Sequence, residues 1–223
     1  MTHATRFAAV AVLVALGVGA PVQAQRPEID ALRVRAEAGD AEAQYDLGLD
    51  YQVGLRVPQD YAEAVRWYRL AAEQGYAYAQ HNLGVMYDNG QGVPEDDAEA
   101  VRLFRLAADQ GDATAQYALG VMHDYGQGVP EDDAEASRWW RLAADQGHAN
   151  AQYNLGFMYS NGSGVPQDYV QMHMWFNLAA SRSTGEDRER AVRGRDLAAD
   201  ELTPDALNEA QRLAREWDAA HPR

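Results

Sequence analysis

The sequence has 223 residues, 34 of them Asp or Glu against 19 basic residues that are all arginine, and it contains no cysteine. Without cysteine there is no disulfide framework, thiol nucleophile or zinc knuckle, and without lysine no Schiff base or phosphate-gripping P-loop lysine. A formal charge of −15 repels nucleic-acid phosphates and anionic headgroups, so neither is expected as a partner.

Residues 1–24 read as a signal peptide. Arg6 supplies the positive start, Phe7 to Gly19 is an uninterrupted apolar run, and Val22-Gln23-Ala24 gives the small-x-small pattern ahead of a cut at Gln25. The run is shorter than the roughly 18 to 20 apolar residues that a membrane-crossing helix needs. The expectation is a periplasmic or secreted protein with no integral membrane span after cleavage; left uncleaved, the same segment would be an anchor. Residues 25–38 follow as an N-terminal capping helix, running from Pro27 to Ala38.

From residue 39 the chain repeats itself. Gly39, Gly75, Gly111 and Gly147 recur at a fixed interval, as do Leu47, Leu83, Leu119 and Leu155, and Pro58, Pro94, Pro130 and Pro166; residues 76–111 and 112–147 are identical at 27 of 36 positions. The period divides the chain into four 36-residue units, 39–74, 75–110, 111–146 and 147–182. Each unit reads as helix, turn, helix. In the first helix Ala43, Leu47 and Tyr51 recur at spacing four, with Gly48 leaving room for a neighbouring helix. In the second, Ala64, Trp67, Leu70 and Ala71 form the apolar stripe, and the glycine that opens the next unit provides a left-handed cap.

The turn between them reads Asn89-Gly90-Gln91-Gly92-Val93-Pro94 in the second unit. Its glycines supply unusual dihedrals and its proline stops the helix. In the first unit Arg56 replaces the second glycine, so that turn is expected to differ if the site requires positive φ. Asp60, Asp96, Asp132 and Asp168 stand three residues before Glu63, Glu99, Glu135 and Gln171, the spacing of a capping box. That role accounts for the acidic turn, whose Asp88, Asp96 and Asp97 miss the calcium-loop spacing. A lone helix pair cannot bury both faces, so the units are expected to stack around a continuous core. Residues 183–223 form a C-terminal helical cap, with helices over 186–201 and 204–219 linked to the last unit by Ser181 to Gly185. The final helix starts at Thr203 and Pro204 and presents Leu207, Ala210, Leu213 and Trp217 on one face.

The run Ala79-Gln80-His81-Asn82-Leu83-Gly84-Val85-Met86-Tyr87, followed by Gly90, Gly92, Val93, Pro94 and Ala107-Ala108-Asp109-Gln110-Gly111, resembles the Sel-one-like repeat family, relatives of tetratricopeptide repeats. Residues 172–219, with Met174-Trp175-Phe176-Asn177-Leu178-Ala179-Ala180, also resemble the ending of exported bacterial members. The resemblance implies an all-α fold, a right-handed α–α superhelix (TPR-like solenoid) of four repeats with helical caps, serving as an adaptor or scaffold. It implies no reaction. A secreted subgroup whose paired cysteines staple each helix pair includes members linked to β-lactam binding or hydrolysis, and this chain lacks those cysteines.

If the first helices line the inner curve, their non-core stripe contains Asp46, Asn82, Ala118 and Asn154 with Leu49, Val85, Val121 and Phe157. Asparagine can pair with both donor and acceptor of a peptide backbone, while Phe157 and Tyr125 offer apolar anchors, so Asn82, Asn154, Tyr125, Phe157 and Asp46 are the candidate partner-binding residues. The bland alternative is that each asparagine bonds to the neighbouring helix and that Val and Phe are core. His81 and His123 stand where other units have tyrosine and read as aromatic substitutes. No nucleophile elbow, zinc-protease motif or dinucleotide fingerprint occurs, and no catalytic residue, cofactor or metal is expected. The function expected is non-enzymatic binding of a protein or peptide in the bacterial envelope. The alternatives are a purely structural or assembly-stabilising envelope component, or an enzyme acting on β-lactams or cell wall.

Overall fold

The computed structural model describes residues 26–221; the signal-peptide segment lies outside the described residues. The helices are α1 (Arg26–Glu37), α2 (Ala41–Val53), α3 (Tyr61–Glu73), α4 (Ala77–Asn89), α5 (Asp97–Asp109), α6 (Ala113–Tyr125), α7 (Asp133–Asp145), α8 (Ala149–Asn161), α9 (Tyr169–Arg182), α10 (Gly185–Asp200) and α11 (Pro204–Ala220). Among the described residues there is no strand. The chain is an all-α, TPR-like solenoid in which α2–α3, α4–α5, α6–α7 and α8–α9 are the four stacked pairs.

Each second helix opens on the expected aspartate. Asp60 Oδ1 accepts from the amides of Ala62 and Glu63 at 3.0 and 3.1 Å, and Asp96, Asp132 and Asp168 cap the amides of Glu99, Glu135 and Gln171 in the same way. The reciprocal half of the capping box is not made. The amide that Glu63 would reach is already committed: Asp60 N–H donates to the Tyr51 carbonyl at 2.9 Å, as Asp96, Asp132 and Asp168 do to Tyr87, His123 and Tyr159. This bond closes the turn and leaves Glu63, Glu99 and Glu135 to pair with Arg66, Arg102 and Arg138. Gly39, Gly75, Gly111 and Gly147 adopt left-handed φ of 85 to 95°, the cap expected at the end of each second helix.

Within a pair, the first helix presents a glycine to an aromatic ring. A Cβ on Gly48 would stand 2.7 Å from Tyr68, and one on Gly84 2.8 Å from Phe104; Gly120 and Gly156 meet Trp140 and Phe176 likewise. Between pairs, each second helix reaches back. Trp67 packs with Ile29, Leu32 and Ala36 of α1, Leu103 with Ala64 and Tyr68, Trp139 with Val101 and Phe104, and Trp175 with Ala136 and Trp140. The apolar seam therefore passes from unit to unit without interruption. One stripe residue was misplaced by the spacing: Leu70 is exposed, and Tyr68 takes its place in the core. Two residues apart, they point about 200° away from each other around the helix, and the Tyr68 ring is on the side that faces Gly48.

A line of glutamines ties the units together. Gln44, Gln80, Gln116 and Gln152 are buried and donate from Nε2 to the carbonyls of Ala36, Ala72, Ala108 and Ala144, at the end of the preceding second helix. Their Oε1 atoms in turn accept from Gln74, Gln110 and Gln146 at 2.7 to 2.8 Å in the first three units. These carbonyls already accept from the amides of Gly39, Gly75, Gly111 and Gly147 at 2.9 to 3.1 Å, and the glutamine adds a second bond that crosses to the next unit, so each glutamine acts as a bolt between neighbours.

At the front, α1 imitates a second helix. Arg33 donates to the Tyr51 hydroxyl at 3.2 Å, as Arg69 does to Tyr87 at 2.6 Å and Arg141 to Tyr159. The first turn opens as the others do, with Gly54 left-handed at φ 71° and Leu55 N–H donating to Asp50 O, while the glycines at the place of Arg56 in the other units, Gly92, Gly128 and Gly164, are left-handed at φ 65 to 72°. Arg56 instead folds back onto Asp50, 2% exposed, with Nε and Nη2 at 2.9 and 2.7 Å from the carboxylate. Asp50 stands where Met86, Met122 and Met158 stand in the other units, so the two departures compensate one another. At the back, α9 runs to Arg182 and α10 starts at Gly185, leaving a link of only Ser183 and Thr184.

Candidate functional site

The first helices expose one stripe each, at spacing i, i+4, i+7, i+11. It reads Glu42-Asp46-Leu49-Val53 on α2, Tyr78-Asn82-Val85-Asn89 on α4, Thr114-Ala118-Val121-Tyr125 on α6 and Asn150-Asn154-Phe157-Asn161 on α8. Leu49, Val53, Tyr78, Tyr125 and Phe157 are exposed here, Tyr125 at 68% and Phe157 at 57%. Among the described residues the other exposed large apolar side chains are Val34 of α1 and Leu70, Leu106 and Leu142 of α3, α5 and α7, which form a second row, together with the isolated Leu55 and Leu197.

Of the candidate residues, Tyr125 and Phe157 stand open, while Asp46, Asn82 and Asn154 are half-buried. Asn82 Nδ2 donates to the Tyr68 hydroxyl at 3.2 Å, and that hydroxyl donates to Gln52 Oε1 at 2.7 Å. The Asn82 side chain also meets the Tyr45 hydroxyl, and Asn154 meets that of Tyr117. Both asparagines thus bridge successive first helices. Burial raises the Asp46 carboxyl above the ordinary carboxylate range, and Glu42 adds to the effect. Asp124, beside Asp133 and Glu131, is raised for the same first reason.

Next to the stripe runs a column of ring contacts between units. Tyr45 meets Tyr76 and Tyr78 at centroid distances of 5.3 and 6.1 Å, Tyr117 stacks on His148 at 4.7 Å, and Tyr153 lies under Arg190 of α10 at 5.9 Å. His81 occupies the same column, against Phe104 at 5.6 Å and within the field of Asp112. Desolvation lowers the pKa of His81, His123, His148 and His173, so all four are held towards the neutral form. His81 and His123 are packed aromatic substitutes in a tyrosine position. At His123 the exchange has a cost, because both ring nitrogens are buried without a partner where Tyr87 and Tyr159 receive an arginine.

Two clefts complete the surface. One, of about 460 Å³, lies between α3, α4 and α5 and is lined by Arg69, Gly75, Tyr87, Arg102, Leu103 and Leu106 among others. The second, of about 390 Å³, is polar and lies among α9, α10 and α11, where His173, Asn177, Arg195, Asp196, Gln211 and Arg215 line it. No Ser, Thr or Tyr hydroxyl lines this second cleft beside His173. Among the described residues no three His, Asp or Glu side chains converge as a metal site would require, and no helix is long and apolar enough to cross a membrane.

A profile of the Sel1 repeat matches residues 41–76, 77–112, 113–148 and 149–183. The chain belongs to the Sel1 repeat family. No curated protein matches it. Among solved structures it is similar to a protective antigen present in uropathogenic Escherichia coli strains and displaying an SLR fold, with a TM-score of 0.78 and 33% identity over 92% of this chain and 43% of the other. It therefore spans less than half the length of that protein. A Sel1 repeat protein from Oxalobacter formigenes is similar at a TM-score of 0.68 and 27% identity, covering 89% of this chain and 95% of the other. Sel1 repeat proteins generally act as protein-interaction scaffolds, and this chain has their architecture.

Sequence reasoning placed the candidate residues on the first-helix stripe but overlooked Tyr78, which is exposed and joins the Tyr45–Tyr76 cluster. Its signal was an aromatic at a place that is Glu42, Thr114 or Asn150 in the other units.

Proposed function

We propose that this Sel1 repeat protein is an exported, non-enzymatic scaffold of the bacterial envelope, holding a protein or peptide partner on the stripe of its first helices. One observation carries the reading: each of these helices leaves at least one large apolar or aromatic side chain uncovered or half-covered, from Leu49 through Tyr78 to Tyr125 and Phe157. Large rings open to solvent beside half-buried amides are the anchors and rim of a protein interface. Export rests on the pattern of residues 6–24.

The test is affinity capture from a periplasmic extract with the wild-type chain and with Tyr125→Ser plus Phe157→Ser. Loss of one discrete partner on the double substitution is expected; unchanged capture would remove this face from consideration. Asn82→Ala plus Asn154→Ala is a weaker test, because the first substitution also breaks the bond to Tyr68. Turnover of a β-lactam or muropeptide by the purified chain would replace the scaffold reading with an enzymatic one.

A further inference from the structure

The second apolar row behaves differently at its two ends. Leu70, Leu106 and Leu142 are 36 to 41% exposed, whereas the next member, Leu178, is 0% exposed. What covers it is α11: Leu178 and Trp175 share a cluster with Ala214, Leu213 and Trp217, and the two indole rings meet edge to face at 6.4 Å.

The glycines that open the units record the same difference. At Gly75 and at Gly111 an added Cβ would meet nothing within 4 Å; at Gly147 it would meet the Trp217 ring at 3.9 Å and Arg182 at 3.4 Å. The cleft between α3, α4 and α5 is lined by Arg69, Gly75, Leu83, Tyr87, Leu103 and Leu106. Advanced by two units, those positions are Arg141, Gly147, Leu155, Tyr159, Trp175 and Leu178, which is the ground on which α11 lies. The last groove is thus filled by an amphipathic helix of the chain itself, and the grooves at Gly75 and Gly111 are its open counterparts, edged by the Glu99–Arg102 and Glu135–Arg138 pairs where the last has Gln171 and Met174.

We infer that these open grooves are docking sites for an amphipathic helix of a partner protein with the chemistry of α11. The continuity of the groove with the one that α11 fills sets the chemistry. Ala210, Leu213, Ala214 and Trp217 follow one another at i, i+3, i+4 and i+7, so the partner helix carries small and leucine residues along one edge and ends on a tryptophan. The small residues let its backbone approach Leu106 or Leu142, and the indole lies over Gly75 or Gly111, where the absence of a Cβ leaves room. Trp217 is also held by the Arg182 guanidinium, 4.6 Å from the ring. Gln110 and Gln146 stand at that position in the open grooves, so helices lacking an acidic residue after the tryptophan fit there as well as α11 itself does.

The probe is a fluorescein-labelled peptide of residues 203–221, titrated into the full chain and followed by anisotropy. Saturable binding is expected, weakened at least tenfold by Leu106→Asp plus Leu142→Asp in the chain and by Trp217→Ala in the peptide, and unchanged by Leu197→Asp, an exposed site on α10 away from the row. Thermal unfolding of each variant checks that the fold persists. Absence of binding overturns the inference. So does binding that ignores Leu106→Asp plus Leu142→Asp, since the peptide would then be displacing α11 at the last groove. Concentration-dependent self-association of the chain, abolished by the same two substitutions, would put a second copy in the grooves and overturn the assignment to a partner.

Discussion

The two ends of the array are closed by different means. The front is closed by imitation: α1 sets the Ala36 carbonyl for Gln44 and Arg33 for Tyr51, the bonds that a full unit would have supplied. The back is closed by coverage. Arg182 stands where the pattern has Gln74, Gln110 and Gln146, turns away to Asp218 and Trp217, and leaves Gln152 Oε1 buried without a partner. A unit therefore demands from its predecessor polar groups in exact register, because a buried amide side chain must find a carbonyl. From its successor it demands chiefly that apolar surface be hidden, which an amphipathic helix of another sequence can do.

The sharpest way to break this contrast is to truncate a tryptophan on each side. Trp139→Ala, inside the seam, is expected to cost about 4 kcal/mol, while Trp217→Ala on the half-buried cap costs about 1 to 2 kcal/mol. Equal losses in chemical denaturation would mean that the back is as integral as the interior. At the front, Arg56→Ala strands the buried Asp50 carboxylate and is expected to cost roughly 3 kcal/mol. Asp50→Met with Arg56→Gly restores the inner pattern and should return the midpoint close to wild type; a double variant no better than the single one would deny that the two departures compensate.

A smaller difference is expected between the bolts. Gln44 uses both ends of its amide and Gln152 only one, so Gln44→Met should cost about 2 kcal/mol and Gln152→Met about 1 kcal/mol. Smallest is the effect of acid at His123. Its pKa is depressed in the folded chain by desolvation, with Arg105 and Arg138 acting in the same direction and Glu135 and Asp132 opposing them. The unfolded chain therefore binds the proton first as pH falls below about 6.5, and stability is lost on acidification. His123→Tyr, which offers Arg105 the hydroxyl that Arg69 and Arg141 already have, should raise the melting temperature by a few degrees at pH 7. It should also make the decline between pH 7 and pH 5 shallower; an unchanged slope would assign that decline to His81, His148 and His173.

The helices, their caps and the stacking were legible because each depends on residues a few places apart, and the 36-residue interval displayed every such pattern four times. The capping box was half right for a physical reason: the Asp60 amide is claimed by Tyr51, nine residues upstream in another helix, and no local pattern announces that bond. Leu70 was misassigned because it and Tyr68 flank the Trp67–Ala71 line on opposite sides, and only Gly48, in the other helix, decides that the apolar face extends towards Tyr68. The site was less legible than the fold. Spacing put Asn82 and Asn154 on the right stripe, but their ties to Tyr68 and Tyr117 cross between helices. The covered fate of Leu178 depends on α11, which lies outside the repeat.

The glutamine bolts have a consequence for how such a chain changes length. Every inner module receives and offers the same two hydrogen bonds at the same register, so excising residues 76–111 would bring Gln116 to the Ala72 carbonyl that Gln80 had occupied, with Gln74 and Gln146 undisturbed. Genetic recombination between two such near-identical stretches thus yields a shorter or longer rod whose joints are already fitted. The molecule is a ruler that can be recut in fixed steps without redesigning either end.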